Sequence, residues 1–286
     1  MKVAVIQLAY GDGETVTDRT ARVVDLVRAQ AGHDLVVLPE LWPAGGFDYR
    51  AWDDRAESID GPIAQSLAAA ARDAGVTLHG GSIVERAEPT SADGHGVWNT
   101  SLVFSPEGEL VATYRKIHRF GFGEGEPTLM DAGDDLVVVD VPVAPVASQG
   151  EEPLPDTTGR TDAASSVAVG LSTCYDLRFP ELYRALLDRG AEVFVVPAAW
   201  PAKRVAHWTL LGQARAIENQ CVVIQCNTAG THAGHEMGGH SQVVDATGTV
   251  LATAGHHEEV LSVEFDTGAT HQWRQAFPVL ADRRLR

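Results

Sequence analysis

The stretch Val167-Ala-Val-Gly-Leu-Ser-Thr-Cys-Tyr-Asp-Leu-Arg-Phe-Pro-Glu-Leu-Tyr-Arg184 decides how the chain is read. Its first seven residues are apolar, β-branched or small and predict a buried strand. From Pro180 onward Leu182, Tyr183, Leu186 and Leu187 fall at helical spacing, and Glu181 sits near the start of that helix, where its dipole favours a carboxylate. Cys174 therefore stands where a strand passes into the connection to a helix. A nucleophile is well served there, because the strand fixes its backbone and the turn exposes its sulfur beside free N–H groups. A lone cysteine also packs as a small hydrophobe, so a chemical role for Cys174 needs partners elsewhere in the chain.

Two other stretches offer them. In His33-Asp-Leu-Val-Val-Leu-Pro-Glu-Leu-Trp42 a buried strand, Leu35 to Leu38, ends in Pro39 and Glu40. Open α/β sheets bind their ligands just past the carboxyl ends of parallel strands, so Glu40 is placed for chemistry. In Leu110-Val-Ala-Thr-Tyr-Arg-Lys-Ile-His118 a strand ends in a basic cluster containing Lys116. Exposed lysines at strand ends are ordinary, and Lys116 gains meaning only beside the other two.

Outward from these stretches, strands alternate with helices in both halves of the chain, which predicts an α/β fold. Helices are expected over Thr15 to Ala31, Pro62 to Ala74, Pro180 onward and Val205 to Asn219. A last short helix is capped by Asp266. Gly80-Gly81 in the strand from Thr77 to Glu85 permits close backbone approach. Val97 to Phe104 and Glu109 to Tyr114 read as a hairpin. Phe120 to Gly133 reads as a glycine-rich loop carrying Glu124 and Glu126. Pro142 to Ser166 holds four prolines among Ser, Thr, Gly, Asp and Glu, and its composition predicts a flexible insert. An interdomain linker is rejected because Glu40, Lys116 and Cys174 straddle it, so residues 1–286 are expected to form a single domain.

At 286 residues with 44% hydrophobic and 21% charged content, the chain has the makeup of a globular protein. Its net charge of −17 argues against nucleic acid or an anionic membrane as partner. No apolar run reaches the length of a membrane span. The apolar start, Met1 to Leu8, breaks at Tyr10-Gly-Asp-Gly-Glu without a cleavage pattern and is read as a core strand. Three cysteines, an odd number, fit a reducing cytoplasm. Cys221 and Cys226 should face opposite sides of one strand. His232, His235, Glu236 and His240 invite a metal reading, but Gly234, Gly238 and Gly239 argue against the helix that would gather them. No metal and no cofactor is expected.

Taken together, Pro-Glu-Leu-Trp, Tyr-Arg-Lys-Ile-His and Cys-Tyr-Asp-Leu-Arg-Phe-Pro-Glu, in that order, resemble the nitrilase or carbon–nitrogen hydrolase superfamily. The resemblance continues through Trp208, Ala214-Arg-Ala-Ile-Glu-Asn-Gln220 and Gly239-His-Ser-Gln-Val-Val-Asp-Ala-Thr-Gly248. It implies a four-layer α-β-β-α sandwich and a catalytic triad of Glu40, Lys116 and Cys174. It also implies an oxyanion site made by Lys116 and the Tyr175 backbone N–H, and an accessory glutamate, Glu126 or else Glu124. Homo-oligomers, commonly dimers through the Pro180 and Val205 helices, are a further implication. Trp200-Pro-Ala-Lys-Arg-Val-Ala-His-Trp208 looks most like the ω-amidase branch, which hydrolyses the terminal amide of 2-oxo acid amides such as 2-oxoglutaramate. Arg178, Trp200 and Arg204 would then line the substrate pocket, an arginine suiting a carboxylate that it can grip at two points. Deaminated-glutathione amidase, N-carbamoyl amidohydrolase and nitrilase activities share the triad and stay open, and a non-catalytic interaction protein is a more remote alternative.

Overall fold

The computed structural model describes residues 1–89, 94–144 and 165–285. In chain order its elements are β1 (Lys2–Gln7), α1 (Val16–Arg28), β2 (Leu35–Val37), α2 (Pro62–Ala74), β3 (Thr77–Arg86), β4 (Val97–Phe104), β5 (Leu110–Arg115), α3 (Glu126–Leu129), β6 (Val138–Val143), β7 (Ser165–Leu171), α4 (Pro180–Asp188), β8 (Val193–Ala198), α5 (Val205–Asn219), β9 (Val222–Asn227), β10 (Thr231–His232), β11 (His235–Glu236), β12 (Gln242–Val244), β13 (Val250–Thr253), β14 (Glu259–Glu264) and α6 (Thr267–Ala276). A 3-10 turn, Cys174–Arg178, joins β7 to α4.

Two six-stranded sheets form, in the orders β14-β1-β2-β3-β4-β5 and β13-β12-β9-β8-β7-β6. Strands β1, β2 and β3 run parallel, as do β7, β8 and β9, and antiparallel strands complete each sheet. Side chains alternate along a strand. Val3 and Val5 of β1 therefore point into the layer between the sheets, with Val37, Val169, Val195 and Ile224. Ala4 and Ile6 of the same strand point outward onto Val23 and Val27 of α1 and Leu67 and Ala71 of α2. On the other outer face Phe194, Val196 and Val223 meet Leu182 and Leu186 of α4 and Trp208 of α5. Strands buried on both faces read as unbroken apolar runs, and the layers stack as α-β-β-α. Cys226 joins the inner layer and Cys221 the outer one, as their odd spacing requires.

The helix ends follow local rules. The Thr15 hydroxyl accepts from Asp18 N at 3.1 Å and caps α1. Pro62 and Pro180 open α2 and α4 at positions whose N–H has no helical partner anyway. Asp266 caps α6 through Gly268 N at 2.8 Å.

Three readings change in detail. The glycine-rich loop from Phe120 to Gly133 contains the short helix α3, which begins at Glu126. The expected insert from 142 to 166 begins and ends in paired strand, with Pro142 opposite Ser166 and Val143 opposite Ser165, while residues 145–164 lie outside the described residues. The arginine-rich C-terminus from Arg283, whose composition reads from sequence as a tail, is anchored, because the Arg283 guanidinium grips Asp188 at the end of α4 at 2.5 and 2.8 Å.

Candidate active site

Glu40 lies three residues past the end of β2, in a turn clamped by β3. Gly81 has φ 69°, and a Cβ there would lie 1.9 Å from the Pro39 carbonyl oxygen. Trp42 Nε1 donates to Gly80 O at 3.0 Å, and Leu41 N donates to the Ser82 hydroxyl at 2.9 Å. The close approach licensed by Gly80-Gly81 is thus made to the segment bearing the glutamate. Glu40 itself is 3% exposed. Its Oε1 accepts from Lys116 Nζ at 2.7 Å and Asn99 Nδ2 at 2.8 Å, and its Oε2 accepts from Ala199 N at 2.9 Å.

Lys116 comes one residue after β5. Its backbone is held on both sides, N–H to Asn99 O and C=O from Gly133 N, each at 2.9 Å. A strand-end lysine is usually solvated, but this one is 2% exposed. Burial works against its charge, yet Glu126 and Glu40 outweigh that and hold its pKa well above lysine's ordinary value. Glu126, also buried, receives Nζ at 3.0 and 2.9 Å on its two oxygens, Asn99 Nδ2 at 2.6 Å, and the Phe120 N–H. Glu124 points away into solvent, so Glu126 is the glutamate that reaches the centre.

Cys174 opens the 3-10 turn with φ 47°, a left-handed conformation that only firm surroundings hold for a residue with a side chain. Asp176 supplies them. Its carboxylate accepts Thr173 N at 2.8 Å, Tyr114 OH at 2.7 Å, and His118 N and Nδ1 at 3.0 and 2.7 Å. Tyr175 N lies in the first turn, where backbone N–H groups have no intrahelical acceptor. Burial, and then the Glu40 carboxylate to which the thiol hydrogen-bonds, push the Cys174 pKa well up. The sulfur is thus a neutral thiol beside a proton acceptor, with an ammonium close by.

Cys174 lines two adjoining cavities. One is floored by Glu40, Lys116 and Glu126. The other is walled by Tyr175, Arg178, Trp200 and Arg204, and Phe47 and Phe120 border both. Arg178 lies 4.7 Å over the Trp200 ring and Arg204 lies 5.3 Å over Phe120. Desolvation, helped by the neighbouring Arg204 charge, lowers the Arg178 pKa. A larger open depression between α1 and α2 carries none of these groups.

The structure therefore gathers Glu40, Lys116, Cys174, Tyr175, Glu126, Arg178, Trp200 and Arg204 around one space. Among the described residues the histidines join no three-ligand cluster, although His232 and His235 face each other across the β10–β11 ribbon. His232 stacks on Tyr10 at 4.5 Å, His235 packs on Phe47, and His240 Nδ1 bonds Gly238 O. Trp208 is core, with its Nε1 on His240 O. Two participants escaped sequence reasoning, Asn99 and the Ala199 N–H, whereas Phe47 stands in the glycine-rich run Pro43 to Tyr49, whose position after Glu40 reads from sequence as a loop bordering the site. Asn99 stands in a run read only as one strand of a hairpin. Its partners depend on the register of β4 against β5.

Comparison with known proteins agrees with this geometry. The chain is 44% identical, over 99% of its length and 90% of the relative's, to a 2-oxoglutaramate amidase of Paenarthrobacter nicotinovorans. It is 33% identical, over 99% and 95%, to the omega-amidase NIT2 of Mus musculus. The crystal structure of XC1258 from Xanthomonas campestris, a CN-hydrolase superfamily protein with an arsenic adduct in its active site, superposes with a TM-score of 0.83. That pair is 27% identical and covers 100% of this chain and 98% of the other. Residues 2–275 match the carbon-nitrogen hydrolase family model, and the chain belongs to that family.

Proposed function

We propose that this amidase hydrolyses the terminal amide of a small 2-oxo acid amide of the 2-oxoglutaramate or 2-oxosuccinamate type, releasing the acid and ammonia through a cysteine thioester. The observation that carries the substrate class is the pair of guanidiniums, Arg178 and Arg204, in the cavity beside Cys174. Among the described residues neither has a carboxylate partner; Arg178 meets His207 Nδ1 at 3.4 Å and the Trp200 ring at 4.7 Å. In a chain of net charge −17, two such cations at one cavity suit an anionic ligand. The 2-oxoglutaramate amidase relative supports the same class.

The chemistry follows from the positions. Cys174 Sγ attacks the amide carbon while its proton passes to Glu40, which answers the raised thiol pKa. The carbonyl oxygen becomes an oxyanion, met by the Lys116 ammonium and the Tyr175 N–H. The C–N bond breaks as Glu40 returns the proton to the leaving nitrogen, which departs as ammonia. Water then attacks the thioester and gives a proton to Glu40. The C–S bond breaks, the acid leaves, and the sulfur regains its proton. Glu126 and Asn99 hold Lys116 and Glu40 in place throughout.

Hydroxylamine added to a working assay with 2-oxoglutaramate should divert product to the hydroxamate, and Cys174→Ala should abolish both ammonia and hydroxamate. Full activity in that variant would overturn the mechanism. We also propose a homodimer through α4 and α5, since Leu210 and Ile217 of α5 are 65% and 54% exposed. The three free thiols suit a reducing compartment such as the cytoplasm.

A further inference from the structure

We propose that Asn99 is a positioning residue for the reaction, an amide clamp that holds the Glu40 and Glu126 carboxylates side by side against Lys116. The reading rests on Glu40 as the proton acceptor for Cys174.

The geometry is specific. Asn99 is 3% exposed, on β4. One nitrogen, Nδ2, donates to Glu40 Oε1 at 2.8 Å and to Glu126 Oε1 at 2.6 Å. Lys116 Nζ donates to the same two oxygens at 2.7 and 3.0 Å. Both neighbours are carboxylates and accept only, so the face turned toward them must be the NH2. The Asn99 carbonyl also receives Lys116 N at 2.9 Å. A single residue thus touches all three charged members of the centre.

Its value lies in charge. Two carboxylates share one ammonium in a dry site, so one negative charge lacks a counter-ion. The pair would relieve that by keeping a proton, and a proton on Glu40 would block acceptance from the thiol. Asn99 offers each carboxylate a donor without adding a further cation. It also occupies Glu40 Oε1, leaving Oε2, fixed by Ala199 N at 2.9 Å, as the oxygen free for proton exchange. Burial and Glu40 raise the Glu126 pKa, whereas Lys116, Phe120 N and Asn99 lower it. The other groups facing the pair are Cys174, Tyr10 and Tyr49. Burial raises all three, Tyr49 to about 12, so none changes charge near neutrality.

The test uses the full chain and no substrate. The rate at which iodoacetamide alkylates Cys174, followed by peptide mass, is measured against pH. In the wild type the rate should rise along an acid limb as the carboxylate pair loses its last proton, and Glu40→Gln should lack that limb. Asn99→Leu removes both donors at similar volume and should move the limb upward by about one pH unit. Asn99→Ser, milder and safer for folding, should move it less but in the same direction. Thr100→Val breaks a neighbouring buried hydrogen bond on the same strand, from Thr100 Oγ1 to Glu85, and should lower the thermal midpoint without moving the limb. An unmoved limb in both Asn99 variants, or an equal shift in Thr100→Val, would refute the clamp. Retention of the limb in Glu40→Gln would instead refute Glu40 as acceptor, and the clamp's role with it.

Discussion

Arg178 separates the substrate reading from the mechanism. If its guanidinium holds the substrate carboxylate, Arg178→Ala should cut kcat/KM for 2-oxoglutaramate by about tenfold or more, because the anion is left facing a poorer partner. A neutral amide of similar length should lose less than about threefold. The effect stays moderate because Arg178 is partly open to water, which screens the pair. Equal losses for both substrates would make Arg178 structural. Glu40, Lys116 and Cys174 were legible because each stands just past a run of strand, and a reactive side chain there has a fixed backbone and an open front. Glu126 was legible only as one of two acids, since a glycine-rich loop leaves the spacing loose. Asn99 was not legible, because nothing local tells an amide that caps two carboxylates from one that satisfies a strand interior.

At the scale of elements, the bulge in β3 decides where Glu40 stands. The pairing of β3 with β4 shifts register between His79 and Ser82, and the kink brings Gly81 under Pro39. Gly81→Ala adds a methyl to a left-handed residue already touching that carbonyl. It should cost about 2 kcal/mol or more of stability, and because the displaced segment ends in Glu40, kcat should fall further than KM changes. Urea denaturation together with initial rates checks both. The Gly-Gly pair announced a close approach but not what approaches. Most strands and the long helices were readable from apolar period and caps, Pro62–Ala74 and Val205–Asn219 to the residue. The elements that sequence reading overlooked are short: α3, the β10–β11 ribbon and the 3-10 turn at Cys174. Four or five residues carry no period, and their form comes from tertiary partners, such as Tyr114 OH and His118 N for Asp176 in the 3-10 turn.

At the scale of the whole molecule, apolar spacing supplied the α/β class, while the double layer came from family resemblance, since a doubly wound sheet would show the same alternation. If the exposed apolar residues of α5 face a second copy, light scattering should give twice the 30.5 kDa chain mass. Leu210→Glu should halve that value without altering the far-ultraviolet circular dichroism, and a monomeric wild type at micromolar concentration would remove the proposal. The two-sheet layout has one more consequence. Glu40 and Lys116 hang from one sheet, Cys174 and the Ala199 N–H from the other, and bonds such as Tyr114 to Asp176 and Ser101 to Thr173 stitch across the seam. Neither half owns a working centre. A partly loosened chain that kept every strand and helix, but let the layers drift by an ångström, would be spectroscopically folded and catalytically dark. Turnover in this protein is therefore a gauge of registry between its two halves, finer than any measure of how much secondary structure remains.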